Sequence, residues 1–270
     1  MKRTIRNSIL ALAGALIISS AASAAPLSRS DDGISEDFEF IIAPYLMFAN
    51  LSGEFSVGQI GAPVDISFGD IVDNLDFAFA MNAEARKGRW GVVLDGQYMK
   101  LGVESEVETP GPILSPIVDA SIKFFVMNSV VTWRQPINNG WIDLFAGIRY
   151  TDFKNTLSFM PGGPLNPGLE LENSIHPTWV SPIFGFRAAV DITDVWYIIT
   201  RADIGGFGAG SSLTYSFNAG IGFNISRSFD ITLTFRYLAD DYKEGTEGMA
   251  DFFEWDMKTY GGQLGLVFHW

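Results

Sequence analysis

Residues 75–98, LDFAFAMNAEARKGRWGVVLDGQY, decide the fold. At their centre Lys87-Gly88-Arg89-Trp90 reads as a two-residue hairpin turn with Gly first, the type II′ form whose twist suits paired strands. Such a turn sets Lys87 opposite Trp90 and carries that register along both arms. Leu75, Phe77, Phe79 and Met81 then share a face with Trp90, Val92, Leu94 and Tyr98. Asn82, Glu84, Arg86, Asp95 and Gln97 share the other. Turn chemistry and polarity pattern agree independently, so the hairpin has one apolar and one charged face.

The same alternation extends in both directions. Upstream, a first strand over about 37–48 sets Phe38, Phe40, Ile42, Leu46 and Phe48 against Glu39, Ala43 and Tyr45, with a local irregularity expected at Pro44, which has no N–H to donate. Downstream, Asn139-Gly140 reads as a type I′ turn that pairs Asn138 with Trp141. Phe125, Met127, Val131 and Trp133 then face outward, with Asn128, Thr132 and Arg134 inward. On the next strand Ile142, Leu144, Ile148 and Tyr150 point out and Asp143 and Arg149 in. Arg187 is the inward charge of the sixth strand, Arg201 and Asp203 of the seventh, and Arg236 of the ninth, where it lies between outward Phe235 and Tyr237. A three-residue turn at Ser226-Arg227-Ser228 precedes that strand. In the final stretch, WDMKTYGGQLGLVFHW (255–270), Tyr260, Leu264, Leu266, Phe268 and Trp270 share one face, and Gln263, Gly265 and His269 the other.

Connections alternate in length. Those near 88, 139, 193 and 227 are short, whereas residues 50–74, the Pro-rich ETPGPILSPI (108–117) and MPGGPLNPG (160–168), and the acidic 240–256 are long; GGFGAGSS (205–212) is the shortest of the outer set. The closing strand, with its aromatic end at Phe268 and Trp270, resembles that of a bacterial outer-membrane β-barrel. An ordinary strand ending a soluble sandwich is the alternative reading. VDISFGDIVDNLDF (64–77), NAEARKGRWGVVLDGQYMKL (82–101) and ADIGGFGAGS (202–211) look like a little-characterised group of Gram-negative outer-membrane barrels in the broad porin-like class. The resemblance implies an all-β, antiparallel, up-and-down transmembrane β-barrel with Phe268 and Trp270 as its assembly signal. It also implies outer-membrane lipid, lipopolysaccharide and the outer-membrane assembly machinery as partners. The hairpin rhythm predicts ten strands, with eight as the alternative. Either count is even and returns both termini to the periplasm.

Targeting agrees with this reading. Lys2, Arg3 and Arg6 precede an apolar run at 9–18 and the small-residue site Ala22-Ser23-Ala24, a cleavable export signal too short to span a bilayer. The expected layout is a signal peptide at 1–24, a flexible periplasmic lead-in at 25–36 and the barrel at 37–270. The chain holds 18 Lys and Arg against 31 Asp and Glu. Three of the basic residues leave with the leader, so the mature chain is more acidic than the full-length net charge of −13. A general basic field for nucleic acid is thereby excluded. There is no Cys, hence no disulfide or thiolate chemistry. Aromatic residues make up 14% of the chain, with no apolar run of membrane-helix length after the leader, so strands must carry its hydrophobicity.

Candidate chemistry is sparse. The two histidines are His176 and His269. His176, after Glu172 and Ser174 near the outer rim, is the place where a hydrolase of the barrel-lipase kind would sit, and a rim residue is the plainer reading. His269 is inward by parity. Asp240, Asp241, Glu244, Glu247, Asp251, Glu254 and Asp256 crowd the last connection, where they read as a solvated loop or a divalent-cation partner, without the spacing of a Ca²⁺ loop. No cofactor is implied. The remaining candidate is the lumen charge network of Glu84, Arg86, Asp95, Asp143, Arg149, Arg187, Arg201, Asp203 and Arg236. It points to porin-like passage of small solutes through a narrow charged lumen, or to a plugged structural or surface-interaction barrel without transport.

Overall fold

The structure, a computed structural model, describes residues 34–106, 117–160 and 171–270. The expected export signal, most of the expected lead-in and the centres of the two Pro-rich connections lie outside the described residues. Among the described residues twelve strands and one short helix are formed: β1 (Phe38–Val57), β2 (Ile60–Ile66), α1 (Phe68–Asp73), β3 (Leu75–Lys87), β4 (Trp90–Glu106), β5 (Ile117–Ile137), β6 (Gly140–Met160), β7 (Leu171–Ile175), β8 (Thr178–Asp191), β9 (Trp196–Gly206), β10 (Leu213–Ser226), β11 (Phe229–Glu244) and β12 (Phe253–His269). β2 and β3 both pair with β1, and β7 and β8 both pair with β6, so twelve segments fill ten positions of one antiparallel sheet. Pairing of β12 with β1 closes it.

Strand stagger fixes the barrel's shape. From Ile41, paired residues lead round through Glu84, Val93, Val130, Gly147, Ile183, Gly205, Thr214, Asp240 and Met257 to Gly53, twelve residues further along β1. With about 3.3 Å per residue and about 4.8 Å between strands, that stagger tilts the strands by roughly 40° and gives a backbone radius of roughly 10 Å.

Parity then sorts the side chains as the sequence predicts. Leu46, Phe77, Val131, Leu144, Phe184, Phe217, Leu233 and Phe235 are exposed on the outside. The registers place Trp90, Trp133, Trp196 and Trp270 in a ring near the short-turn end. Tyr98, Tyr150, Tyr215, Tyr237 and Tyr260 form a second ring roughly 20 Å away along the axis. No charged side chain points outward between them, as a lipid-facing belt requires. Beyond the tyrosines the strands continue as a wall standing clear of the belt; β5 and β6 are each 21 residues long.

Several local expectations change. The turn between β5 and β6 is Asn138-Asn139, with Ile137 opposite Gly140, rather than a type I′ turn at Asn139-Gly140. Neither Asn has a positive φ. The register moves by two residues, which leaves every face assignment intact. The expected three-residue turn is two residues, Arg227 and Ser228, with the extra residue absorbed by a register shift between Asn224 and Ser226. Residues 50–74 are not a loop: β1 runs on to Val57 and hairpins into β2, and α1 follows.

At α1 the wall changes partners. β1 pairs with β3 as far as Pro44 and Met81, and pairing on that side resumes only at Leu51, opposite Ile66 of β2. α1 lies at the upper edge of this break. Its N-cap Ser67 forms a capping box with Asp70, the Asn50 side chain accepts from the Phe68 N–H at 3.0 Å, and the Phe68 ring meets Phe48 edge-on. On the other edge of β1 the ladder skips Ala43 and Pro44 without a change of register, the irregularity that a missing N–H produces.

Candidate functional site

All nine predicted lumen residues point inward, and none is more than 5% exposed. The number matters, because a water-filled channel would leave such side chains wet. They form two clusters at different heights instead of one network.

The lower cluster, near the short turns, is built round Asp143. Arg134 donates to it from Nε at 2.8 Å and from Nη2 at 3.0 Å. Arg86 donates at 2.7 Å, and Arg187 donates from Nε at 3.0 Å and Nη2 at 2.8 Å. Glu84 bridges the same cations, accepting from Arg86 Nη2 at 2.8 Å and Arg187 Nη2 at 2.7 Å. The indole of Trp141 lies beneath two of these guanidiniums, 4.0 Å from that of Arg134 and 5.3 Å from that of Arg187. Three guanidiniums on two carboxylates are mutually satisfied and occupy the cross-section on that side. The other side holds Ile41, Ala43, Ala189, Tyr197, Ile199 and Val267, which with Trp141 form a small apolar cluster. Arg134 belongs here although it was not among the nine; parity had already turned it inward.

The middle cluster centres on Asp203, which accepts from Arg149 at 3.0 Å, Arg201 at 3.2 Å and the Ser216 hydroxyl at 2.6 Å. Arg149 also reaches Asn128 and Thr214, each at 2.8 Å. Asp95 accepts from the Tyr45 hydroxyl at 2.9 Å, and buried Arg236 is attracted to its charge. Amides complete the layer: Asn218 donates to Gln263 at 2.7 Å.

Above the charges the lumen turns apolar, which sequence reasoning missed. Met99, Leu101, Ile122, Phe124, Phe153, Trp179, Leu238, Tyr242, Phe253, Trp255 and Met257, with Leu51, Phe55 and Ile71, form one buried cluster inside the long-connection end of the barrel. Trp179 and Tyr242 stack at 4.3 Å between ring centres. The available signal was inward parity: Met99, Leu101, Phe124 and Phe153 continue the lumen faces of strands whose lower halves carry charge. A cavity of about 1030 Å³ opens at the short-turn mouth, among Ile41, Asn138, Asp191, Asn224, Arg227 and His269.

The remaining candidates divide. Phe268 pairs with Ile42 and stacks on Phe229 at 5.0 Å. Trp270 exchanges backbone hydrogen bonds with Phe40, at 3.0 and 3.1 Å, so the aromatic end ties the closing seam. His269 faces the lumen mouth, 3.5 Å from Asp230. His176 meets Asp152 at 3.0 Å on the outer surface, not Ser174, and the Glu172 side chain lies outside the described ones. The acidic run is not one loop: Asp240 is buried on β11, Asp241 and Glu244 follow on that strand, Glu254 and Asp256 lie on β12, and Glu247 and Asp251 alone sit in the connection. Among the described residues no three His, Asp or Glu side chains gather as a metal site.

No known family model and no curated protein sequence matches the chain. In fold it is similar to the outer membrane protease OmpT from Escherichia coli, at 8% identity over 88% of this chain and 98% of that chain, with a TM-score of 0.53. It also overlays the attachment invasion locus protein Ail of Yersinia pestis at 14% identity, over 86% of this chain and 98% of that chain, with a TM-score of 0.35. For Neisserial surface protein A the values are 11%, 86% and 99%, and 0.33. At these identities the likeness is one of fold, and the fold is that of the Gram-negative outer-membrane β-barrels.

Proposed function

We propose that this protein is a plugged outer-membrane barrel: it sits with both termini in the periplasm, does not conduct, and serves the envelope through its structure and its outward-standing wall. One observation carries the reading: ion-paired arginines are buried in the lumen below and an aromatic cluster is buried in it above. Porin-like passage needs a continuous wet path, and side chains this buried leave little room for one. The two-carboxylate, three-arginine cluster is costly to desolvate and is tolerated because each charge has partners. It serves as a girder that ties β3, β5, β6 and β8 together on one side of the lumen. The outer wall is the surface offered to the medium. His176 meets an acid, Asp152, as a hydrolase histidine would, but among the described residues no nucleophile hydroxyl is hydrogen-bonded to its ring, and this reading gives it no catalytic role.

Planar-bilayer recording tests it. The wild-type protein is expected to give no stepwise conductance, whereas a variant with Phe124→Ala, Phe153→Ala and Trp255→Ala to hollow the plug and Asp143→Ala to break the girder should conduct. Regular steps from the wild type, with ion selectivity altered by Arg201→Gln, would replace the plugged reading with the porin-like one.

A further inference from the structure

Three lysines form a row on the outside of the barrel. Lys100 of β4 is directly opposite Lys123 of β5, and Lys123 is directly opposite Lys154 of β6. All three belong to the outward parity. Like charges placed directly across a sheet repel, and two consecutive pairs of them are a cost that needs a compensating anion. The protein supplies little of one. Lys100 meets Asp76 at 2.7 Å. Asp152, the other carboxylate close by among the described residues, is engaged by His176 at 3.0 Å and by the Tyr150 hydroxyl at 3.1 Å. Among the described residues Lys123 and Lys154 make no ion pair.

Height identifies the missing anion. The row rises from the aromatic ring: Lys100 is two residues past Tyr98, Lys123 two before Phe125 and Lys154 four past Tyr150, and the Phe125 and Tyr150 rings lie 6.2 Å apart below it. Aromatic rings mark the boundary between acyl chains and headgroups, so the ammonium groups stand at headgroup level, next to the lipid. The sector is also exceptional for the molecule. The same rim over β11 and β12 sets Asp241 opposite Asp256, and the chain as a whole is acidic. Ammonium groups on flexible stems, with strands about 4.8 Å apart, can converge on the oxygens of one phosphate group or span two neighbouring ones.

We propose that Lys100, Lys123 and Lys154 bind the phosphate groups of an outer-leaflet lipid headgroup, that of lipopolysaccharide. The assignment rests on the orientation proposed above, which puts the long-loop end in the outer leaflet. Binding is measured in detergent, where orientation plays no part, so failure of the site and failure of the orientation appear in different experiments.

The mature protein is folded in zwitterionic detergent and the thermal midpoint of its folded form is followed by gel mobility during titration with lipopolysaccharide, with the same lipid stripped of phosphate, and with inorganic phosphate. Lipopolysaccharide should raise the midpoint by several degrees, and the other two should leave it unchanged at equal concentration. The triple variant Lys100→Gln, Lys123→Gln, Lys154→Gln should remain folded, because it relieves repulsion, and should bind at least tenfold more weakly. Lys123→Gln alone should weaken binding in the same direction, while Lys258→Gln, elsewhere on the rim, should not. Undiminished binding by the triple variant and by Lys123→Gln, or an equal shift with the dephosphorylated lipid, would overturn the proposal. An equal shift with inorganic phosphate would make the site one for the free anion and overturn the lipid assignment.

Discussion

Asp143 shows what one buried side chain carries. It accepts from Arg86, Arg134 and Arg187 with no solvent to replace it. Asp143→Ala should therefore destabilise the barrel by about 3–5 kcal/mol in urea titrations, because three guanidiniums would be left with Glu84 as the one carboxylate of their cluster. Lys243→Gln, which removes a half-exposed partner from Glu254 at 2.7 Å, should cost no more than about 1 kcal/mol. A stability loss at Asp143 no larger than that at Lys243 would refute the girder. The inward direction of these residues was legible, since a charge either faces the lumen or faces lipid. Their partners were not: Glu84 and Arg187 are 103 residues apart, and only the closed registers bring them together. Nor could parity divide nine charges into two clusters, because height depends on stagger and stagger is not written in any single strand.

Strands were legible where lipid forces alternation and became illegible where it stops. The hairpin at Lys87 and Trp90 forms with the expected pairing as far as Phe77 and Lys100 and shifts by one residue at Leu75, which meets Leu101, and β9 to β12 keep their predicted faces. Above the belt the outer face meets water, so the contrast between faces weakens; Gly53, Glu54, Phe55 and Ser56 read as a loop yet extend β1. α1 was obscured differently. Its capping residues Ser67 and Asp70 are visible, but a six-residue helix leaves no periodic apolar run to accompany them. Face assignment itself can be tested on β11. Phe235→Arg would put a cation near the middle of the belt at about 2–4 kcal/mol and should block folding into lipid vesicles, as scored by protease resistance. Arg236→Gln, one residue along and inside, should fold. The reverse pattern would mean that β11 faces the other way.

For the whole molecule, closure is the condition of existence, because an open edge in hydrocarbon leaves backbone groups without partners. Deleting residues 268–270 removes the pairs that Phe268 makes with Ile42 and Phe229 and the Phe40–Trp270 hydrogen bonds. The truncated protein should fail to accumulate in a heat-modifiable, protease-resistant form in outer-membrane fractions; normal accumulation would show that the seam closes without its aromatic end. The two aromatic rings have an optical consequence as well. Of the seven tryptophans, Trp90, Trp133, Trp196 and Trp270 stand in the lipid at one end, while Trp141, Trp179 and Trp255 are shielded inside. Intrinsic fluorescence is therefore a built-in depth gauge. Brominated lipids dim the first four and spare the other three, and quenchers confined to one leaflet tell which end of the barrel has crossed the bilayer, and when, without any attached dye.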